Sequence, residues 1–341
     1  MKIVCFGELM MRLAPPGYMR ISQTDTLNMT FGGAEANVAV SLANYGCQAA
    51  YVTRLPNNPV ADRAMEQLRG LGVDVSRVAR GGDRLGIYFV EKGASMRPSK
   101  VVYDRKYSSI STIQPGMIDW DAVFADAEWF HWTGITPALS ESAAAVTLEA
   151  CKAAKAKNVT ISCDLNYRKN LWTREQANKT MSELVLYVDV LIANEEDSQD
   201  VFGISAEGAD IEGGKLSEAG YASLAKKLAD AFGCGKIAFT LRESFSANDN
   251  DWSGLIYDRA TGAYVRSRKY SIRIVDRVGG GDAFGGGLIY ALSEKMDDAA
   301  AINFAVAASA LKHTIEGDYN RVTLDEVKAL AGGSVSGRVQ R

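Results

Sequence analysis

The 341-residue sequence predicts an α/β protein with a mostly parallel sheet and a second, small sheet of lid strands. Three observations predict it. Short, apolar, β-rich runs alternate with longer helical segments; two strand-rich stretches interrupt that rhythm; and the composition, 47% hydrophobic and 23% charged, is that of a globular chain. Such a length buries one large core or two modest ones.

The elements follow in chain order. Residues 3–9 form the first apolar run, too short and, with Glu8 inside it, too polar for a signal peptide. Residues 11–31 and 84–111 carry alternating segments such as Leu85-Gly86-Ile87-Tyr88-Phe89-Val90 and Val101-Val102-Tyr103-Asp104-Arg105, which read as half-exposed strands. They form one small sheet: either a lid over the carboxyl edge of the core sheet, where open α/β folds bind ligands, or ordinary edge strands. Residues 129–132, 159–165, 188–193 and 237–241 are the further core strands. Stretches 140–156, 174–187 and 217–231 are rich in Ala, Leu and Lys and predict the intervening helices. One domain is expected over 1–331, followed by a small, polar, basic and flexible tail at 332–341.

Composition narrows the partners. With 38 Lys and Arg against 41 Asp and Glu, the net charge of -3 argues against nucleic acid or an anionic membrane as the main partner. No run approaches the roughly 18 apolar residues of a membrane span. Cys5, Cys47, Cys151, Cys163 and Cys234 are scattered and contain no C-x-x-C pair, so neither a disulfide framework nor a zinc site is suggested and a reducing cytoplasm fits best. His131 and His313 stand at unrelated places, so a histidine metal site or a Ser-His-Asp triad is disfavoured and a carboxylate is the expected general base.

The most informative stretch is Asp276-Arg277-Val278-Gly279-Gly280-Gly281-Asp282, which opens a helix. Glycine permits close backbone approach, and the free N–H groups of a first helical turn attract phosphate oxygens. An Asp at that mouth is placed to accept a proton from an attacking hydroxyl. The helix end is expected to keep Asp282 ionised near about 3.9, a weak base whose task is orientation more than basicity. The bland alternative is a tight glycine turn with Asp282 merely answering the helix dipole. No Gly-Lys-Ser/Thr follows, so this is no P-loop, and Phe284 stands where a dinucleotide motif needs its last glycine, which demotes NAD.

A second block, Gly32-Gly33-Ala34-Glu35-Ala36-Asn37-Val38-Ala39, sends a glycine pair into an amphipathic helix. Taken with the late glycine turn, it resembles the two signatures of the ribokinase-like (PfkB) sugar kinases, and the resemblance runs over residues 3–321. It implies a three-layer α/β/α core with a β-sheet lid and ATP-dependent phosphorylation of a sugar hydroxyl. Asp282 would be the base, Gly279, Gly280 and Gly281 the anion hole, and Gly32, Gly33 and Asn37 would face the sugar. Asn194-Glu195-Glu196-Asp197 matches the family's Asn-x-x-Glu element, with Asp in the fourth place; Asn194 and Asn166 fall on the nucleotide side and Asp197 would hold magnesium through water. Thr240-Leu241 matches the nucleotide element Thr-Leu-Gly, but Arg242 replaces its glycine and Arg277 replaces the usual Thr of the late motif.

Within the family, Gly134-Ile135-Thr136-Pro137, Asp164-Leu165-Asn166-Tyr167-Arg168 and Leu311-Lys312-His313-Thr314-Ile315-Glu316-Gly317-Asp318-Tyr319-Asn320 resemble the kinases of 2-dehydro-3-deoxygluconate. Tyr88, Tyr103, Arg105 and Arg168 would then form the sugar-acid pocket, Arg being suited to a carboxylate. The implied ligands are the sugar acid, ATP and Mg²⁺, with K⁺ as an optional addition, and lid strands are expected to clasp a homo-oligomer. The rivals are a fructokinase, a kinase of the galactonate epimer, and a non-catalytic sugar or nucleotide sensor.

Overall fold

A computed structural model describes residues 1–206 and 217–334, so the expected tail lies, from 335 on, outside the described residues. The core is a nine-stranded sheet. Its order is Tyr264–Arg266, Asp249–Asp258, Lys236–Ser244, Val190–Ala193, Thr160–Asp164, Trp129–Thr133, Lys2–Phe6 and Gln48–Val52, with Tyr270–Arg273 also paired to Asp249–Asp258. Pairing is parallel from Gln48–Val52 across to Lys236–Ser244 and antiparallel beyond it.

Period-two alternation divides the strand side chains between two cores. Ile3, Cys5, Tyr51 and Ile192 pack with the helices Ala34–Asn44, Gly280–Ser293 and Asp298–Lys312. Val4, Phe6, Val52, Ile161 and Leu191 pack on the other side with Glu141–Ala156, Arg174–Leu184 and Glu218–Phe232. Burial on both faces is why these strands read as continuous apolar runs. Helix starts are chemically marked: Ser140 accepts from Ala143 N at 3.0 Å, and Thr173 and Gln176 form a reciprocal capping box.

The expected strands and helices are present with trimmed ends. The first run stops at Phe6, and Met10–Ala14 already belongs to the lid. Helix Arg174–Leu184 finishes in a 3₁₀ turn, Val185–Tyr187. Two strands escaped the sequence reading. Gln48–Val52 follows the helix that ends before Gly46 by only a short turn, and Asp249–Asp258 begins Asp-Asn-Asp, the composition of a turn.

The strand-rich insertions form one separate four-stranded sheet, ordered Asn28–Gly32, Met10–Ala14, Gly86–Glu91 and Lys100–Asp104. Its central pair is parallel and its outer pairs antiparallel. Met10, Ala14, Tyr88 and Val90 make its small apolar face. All five cysteines are free, and among the described residues no helix is long and apolar enough to cross a membrane.

Candidate active site

A cleft of about 510 Å³ lies where the lid faces the carboxyl ends of the parallel strands. The strand ends contribute Asp164, Ala193, Asn194 and Thr240; the lid contributes Met10, Tyr88, Tyr103 and Arg105; the glycine turn contributes Gly279, Gly281 and Asp282. This is the place at which open α/β sheets bind ligands.

The turn is built by backbone geometry. Gly279 caps the helix Gly280–Ser293 with φ 83°, and a Cβ there would lie 2.0 Å from the Asp318 carbonyl oxygen. The Gly280 N–H is spent on Arg277 O at 3.3 Å, and its α-carbon lies against the His313 ring, so Gly280 does not line the cleft. Gly281 and Asp282 retain first-turn N–H groups with no intrahelical partner, and a Cβ on Gly281 would meet nothing within 4 Å. Of the N–H groups expected to form an anion hole, those at the far end of the turn are free and face open space.

Asp282 accepts a 2.6 Å hydrogen bond from Asn37 Nδ2. Burial, aided by Asp318, pushes its carboxyl up to about 6, against the pull of Asn37, Arg168 and Lys312. The expectation of a carboxylate near its ordinary value is corrected: desolvation in the cleft outweighs the helix dipole, leaving a stronger base.

Beneath the turn lies a charged framework that sequence reasoning missed. Arg12, buried on the lid strand Met10–Ala14, donates to Asp276 Oδ2 at 2.6 Å and Asp318 Oδ1 at 2.5 Å. Tyr88 donates its hydroxyl to Asp318, and Asp276 accepts Val278 N at 3.1 Å and Gly317 N at 3.2 Å. The lid, the glycine turn and the loop after helix Asp298–Lys312 are therefore tied at one buried point. Arg12 sits alone among alternating lid residues, and nothing in the sequence pairs it with acids more than 260 positions away; its two partners lie 264 and 306 residues on.

Glu35, inside the early motif, is also buried. Its Oε1 accepts from Thr133 N at 3.1 Å and from the Thr133 and Thr136 hydroxyls at 2.8 Å each, which fastens the start of helix Ala34–Asn44 to the end of strand Trp129–Thr133. Burial raises its carboxyl to about 7.

Most expected site residues converge on the cleft: Gly33, Asn37, Tyr88, Tyr103, Arg105, Asn166, Arg168, Asn194, Asp197, Thr240, Gly279, Gly281 and Asp282. Three do not line it: Gly280, Gly32 and Leu241. Gly32 abuts the Asp318 carboxylate, which a Cβ would approach to 2.2 Å, so it serves spacing. Leu241 points into the core by strand alternation, leaving Thr240 as the exposed member of the pair. Arg105 reaches the cleft but commits Nε, at 2.8 Å, and Nη2 to Glu8 Oε2, while Ser108 donates to Glu8 Oε1 at 2.7 Å. Helix Asp298–Lys312 packs in the core, and its cap His313 lines the cleft, donating Nδ1–H to Ser309 O at 2.7 Å and kept neutral by burial, which lowers it to about 4. His131 is buried within the sheet and burial lowers it to about 3, a neutral structural residue.

The donor set at the strand ends suits a hard cation. Asp164, Glu196 and Asp197 line the cleft with the amides of Asn166 and Asn194. Burial, then the charges of Asp197 and Asp282, push Asp164 up to about 8; burial raises Asp197 to about 7. Crowded carboxylates of this kind fit Mg²⁺, which relieves their repulsion and keeps several waters. Among the described residues no three His, Cys, Asp or Glu side chains form a direct metal cage.

A parallel α/β sheet with a β lid, a glycine turn and a carboxylate at its mouth defines the class of small-molecule phosphotransferases. The model of the pfkB family carbohydrate kinases matches residues 1–323, and the chain belongs to that family. It is 33% identical over 336 residues to the 2-dehydro-3-deoxygalactonokinase of Haloferax volcanii, with 98% of each chain covered. It is 30% identical over 322 residues to the 2-dehydro-3-deoxygluconokinase of Thermoproteus tenax, covering 93% of this chain and 89% of that one. The solved structure of the 2-dehydro-3-deoxygluconokinase of Thermotoga maritima superposes with a TM-score of 0.94 at 49% identity, covering 98% of this chain and 100% of that one. The protein is a sugar kinase of ribokinase-like fold.

Proposed function

We propose that this kinase, read as one domain over 1–331, transfers the terminal phosphoryl group of ATP to the C6 hydroxyl of 2-dehydro-3-deoxy-D-gluconate. The observation that carries the reading is the Asn37–Asp282 hydrogen bond at the mouth of the glycine turn, in a cleft shared with two tyrosines and two arginines of the sugar side. The relatives named for sugar acids support the substrate class.

In this reading Tyr88, Tyr103, Arg105 and Arg168 orient the sugar acid. Tyr88 is fixed through Asp318, and Tyr103 stacks on it at 6.1 Å with the Arg105 guanidinium 5.1 Å from its ring centroid. With half of Arg105 held by Glu8, Arg168 is the freer partner for the substrate carboxylate. The hydroxyl oxygen forms a bond to the terminal phosphorus as the bond to the leaving ADP oxygen breaks, and the hydroxyl proton passes to Asp282. The N–H groups of Gly281 and Asp282 stabilise charge on the transferred group. Asn166, Asn194, Thr240 and Asp197 line the nucleotide end; Mg²⁺, bound with ATP, neutralises phosphate charge, and Asp197 would hold it through water.

The lid strand Lys100–Asp104 is exposed along its length, with Val101, Val102 and Tyr103 open to solvent, and supports a homo-oligomer clasped through lid strands. The reading includes cytoplasmic location. A coupled ADP assay across the gluconate and galactonate keto acids, fructose and ribose tests the substrate. The account expects the gluconate epimer to give the highest kcat/KM. The Haloferax relative favours the galactonate epimer as the second reading. A preference for a neutral sugar removes the sugar-acid assignment, and nucleotide binding without ADP release from any acceptor favours a sensor.

A further inference from the structure

The two arginines that depart from the family motifs meet in one part of the cleft. Arg242 extends from strand Lys236–Ser244 just past Thr240, and Arg277 enters the glycine turn between Asp276 and Val278. Both line the cleft with Thr240, Gly279 and Gly281. Burial and the neighbouring charge of Arg242 lower the pKa of Arg277, so the two like charges feel each other.

Neither arginine is held in an ion pair among the described residues, and the charge of neighbouring Asp276 only partly offsets burial and Arg242 at Arg277. Among the described residues no carboxylate lies within ion-pair distance of either one, whereas Arg12 is held by Asp276 and Asp318 and Arg105 by Glu8. The carboxyls of Asp164, Asp197 and Asp282 respond to Arg168 instead. Arg277 donates Nη2 to Ala247 O at 2.9 Å, while its Nε is buried without a partner. The third neighbour, His313, is neutral and contributes no charge. Two guanidiniums held together this way are costly in the free protein, and an anion between them recovers that cost.

In-line transfer fixes which anion. The acceptor approaches from the lid side, past Tyr88, Tyr103 and Asp282, so the leaving group must depart on the opposite side of the phosphorus. Thr240 and Arg242, on core strand Lys236–Ser244, and Arg277, in the glycine turn, line the cleft from outside the lid sheet. Charge accumulates on the leaving oxygens as the bond breaks, and fixed cations stabilise it there. We propose that Arg242 and Arg277 form a clamp for the polyphosphate chain of the nucleoside triphosphate, holding the departing diphosphate while the glycine turn holds the transferred group. The glycine and threonine of the general motif offer no charge at these two positions, so the arginines add a contact that the motif alone does not supply. The proposal rests on the kinase reading above.

The test measures binding without turnover. Calorimetric titration with the magnesium complex of a non-hydrolysable ATP analogue, and separately with adenosine, is carried out on the full chain and on Arg242→Ala and Arg277→Gln. Each substitution is expected to weaken the analogue about tenfold or more, the loss of one charge-assisted hydrogen bond, while leaving adenosine unchanged. Inorganic tripolyphosphate is expected to displace the analogue from the wild type and poorly from the variants. Arg242 is exposed, so its variant decides the matter if loss of the Arg277–Ala247 contact unfolds the other. Wild-type affinity in Arg242→Ala, or an equal loss for adenosine, overturns the clamp. Failure of the wild type to form ADP from any sugar overturns the kinase reading alone, because nucleotide affinity is measured without an acceptor.

Discussion

Asn37 Nδ2 donates to Asp282 Oδ2 across 2.6 Å, joining the helix after the lid to a glycine turn 245 residues further on. The bond fixes one carboxylate oxygen and leaves the other for a substrate proton. It also favours the ionised form, opposing burial. Asn37→Ala removes both effects. Turnover is expected to fall about 10- to 100-fold through misorientation, and the acid limb of kcat/KM to move to higher pH. A full pH profile of the variant checks this; an unmoved limb would show that Asn37 does not govern Asp282.

The wild-type profile has its own signature. With Asp282 raised to about 6, the base is increasingly protonated below that pH, and kcat/KM is expected to drop about tenfold per unit of further acidification. A plateau persisting to about pH 4 would indicate a base with an ordinary carboxyl pKa.

Gly281 separates activity from stability. Its site is open, so Gly281→Ala is expected to leave the melting temperature unchanged or slightly higher, the usual gain from removing glycine freedom in a helix. The added methyl nevertheless stands where the phosphoryl group must approach, and turnover should fall about 100-fold. At Gly279, by contrast, φ is 83° and the Asp318 carbonyl blocks a Cβ, so Gly279→Ala should lower stability and activity together. Thermal melts and kinetics on the two variants make the comparison.

Arg12 links lid, turn and C-terminal loop. Arg12→Met strands Asp276 and Asp318 as buried unpaired acids, a change expected to cost about 3–5 kcal/mol. Urea unfolding measures it. A loss below about 1 kcal/mol, the range of an exposed pair, would mean that water reaches the acids readily.

Asp164 predicts a pH-dependent stability. Its folded pKa, about 8, lies above the ordinary 3.8, so the native state binds its proton more tightly than the unfolded chain does. The stability tied to that proton is full at low pH and lost as pH rises through about 8. Asp164→Asn, which can still accept the Asn166 N–H, is expected to flatten the decline of melting temperature between about pH 4 and about pH 8. An identical slope in both proteins would assign the decline elsewhere.

Local chemistry made much of this legible in sequence. The parallel strands are buried on both faces and so read as apolar runs; the lid alternates because one face is open; and Gly279 to Asp282 announces a backbone that must turn sharply beside a helix start. Long-range pairing was not legible. Strand Asp249–Asp258 is specified by its register with Lys236–Ser244, and Arg12 acquires its acids only when the lid folds onto the turn. The basicity of Asp282 was misjudged because the helix dipole is visible locally, whereas desolvation by the surrounding walls is a property of the assembled cleft. Arg242 and Arg277 stood out as departures from motifs, but only the fold shows that they are neighbours.

The most direct test is single-turnover ADP formation by Asp282→Asn, with 2-dehydro-3-deoxy-D-gluconate and Mg-ATP, on protein whose melting curve matches the wild type. The account predicts a rate reduced by about 10²- to 10⁴-fold with nucleotide affinity retained. A rate close to that of the wild type would contradict Asp282 as the proton acceptor.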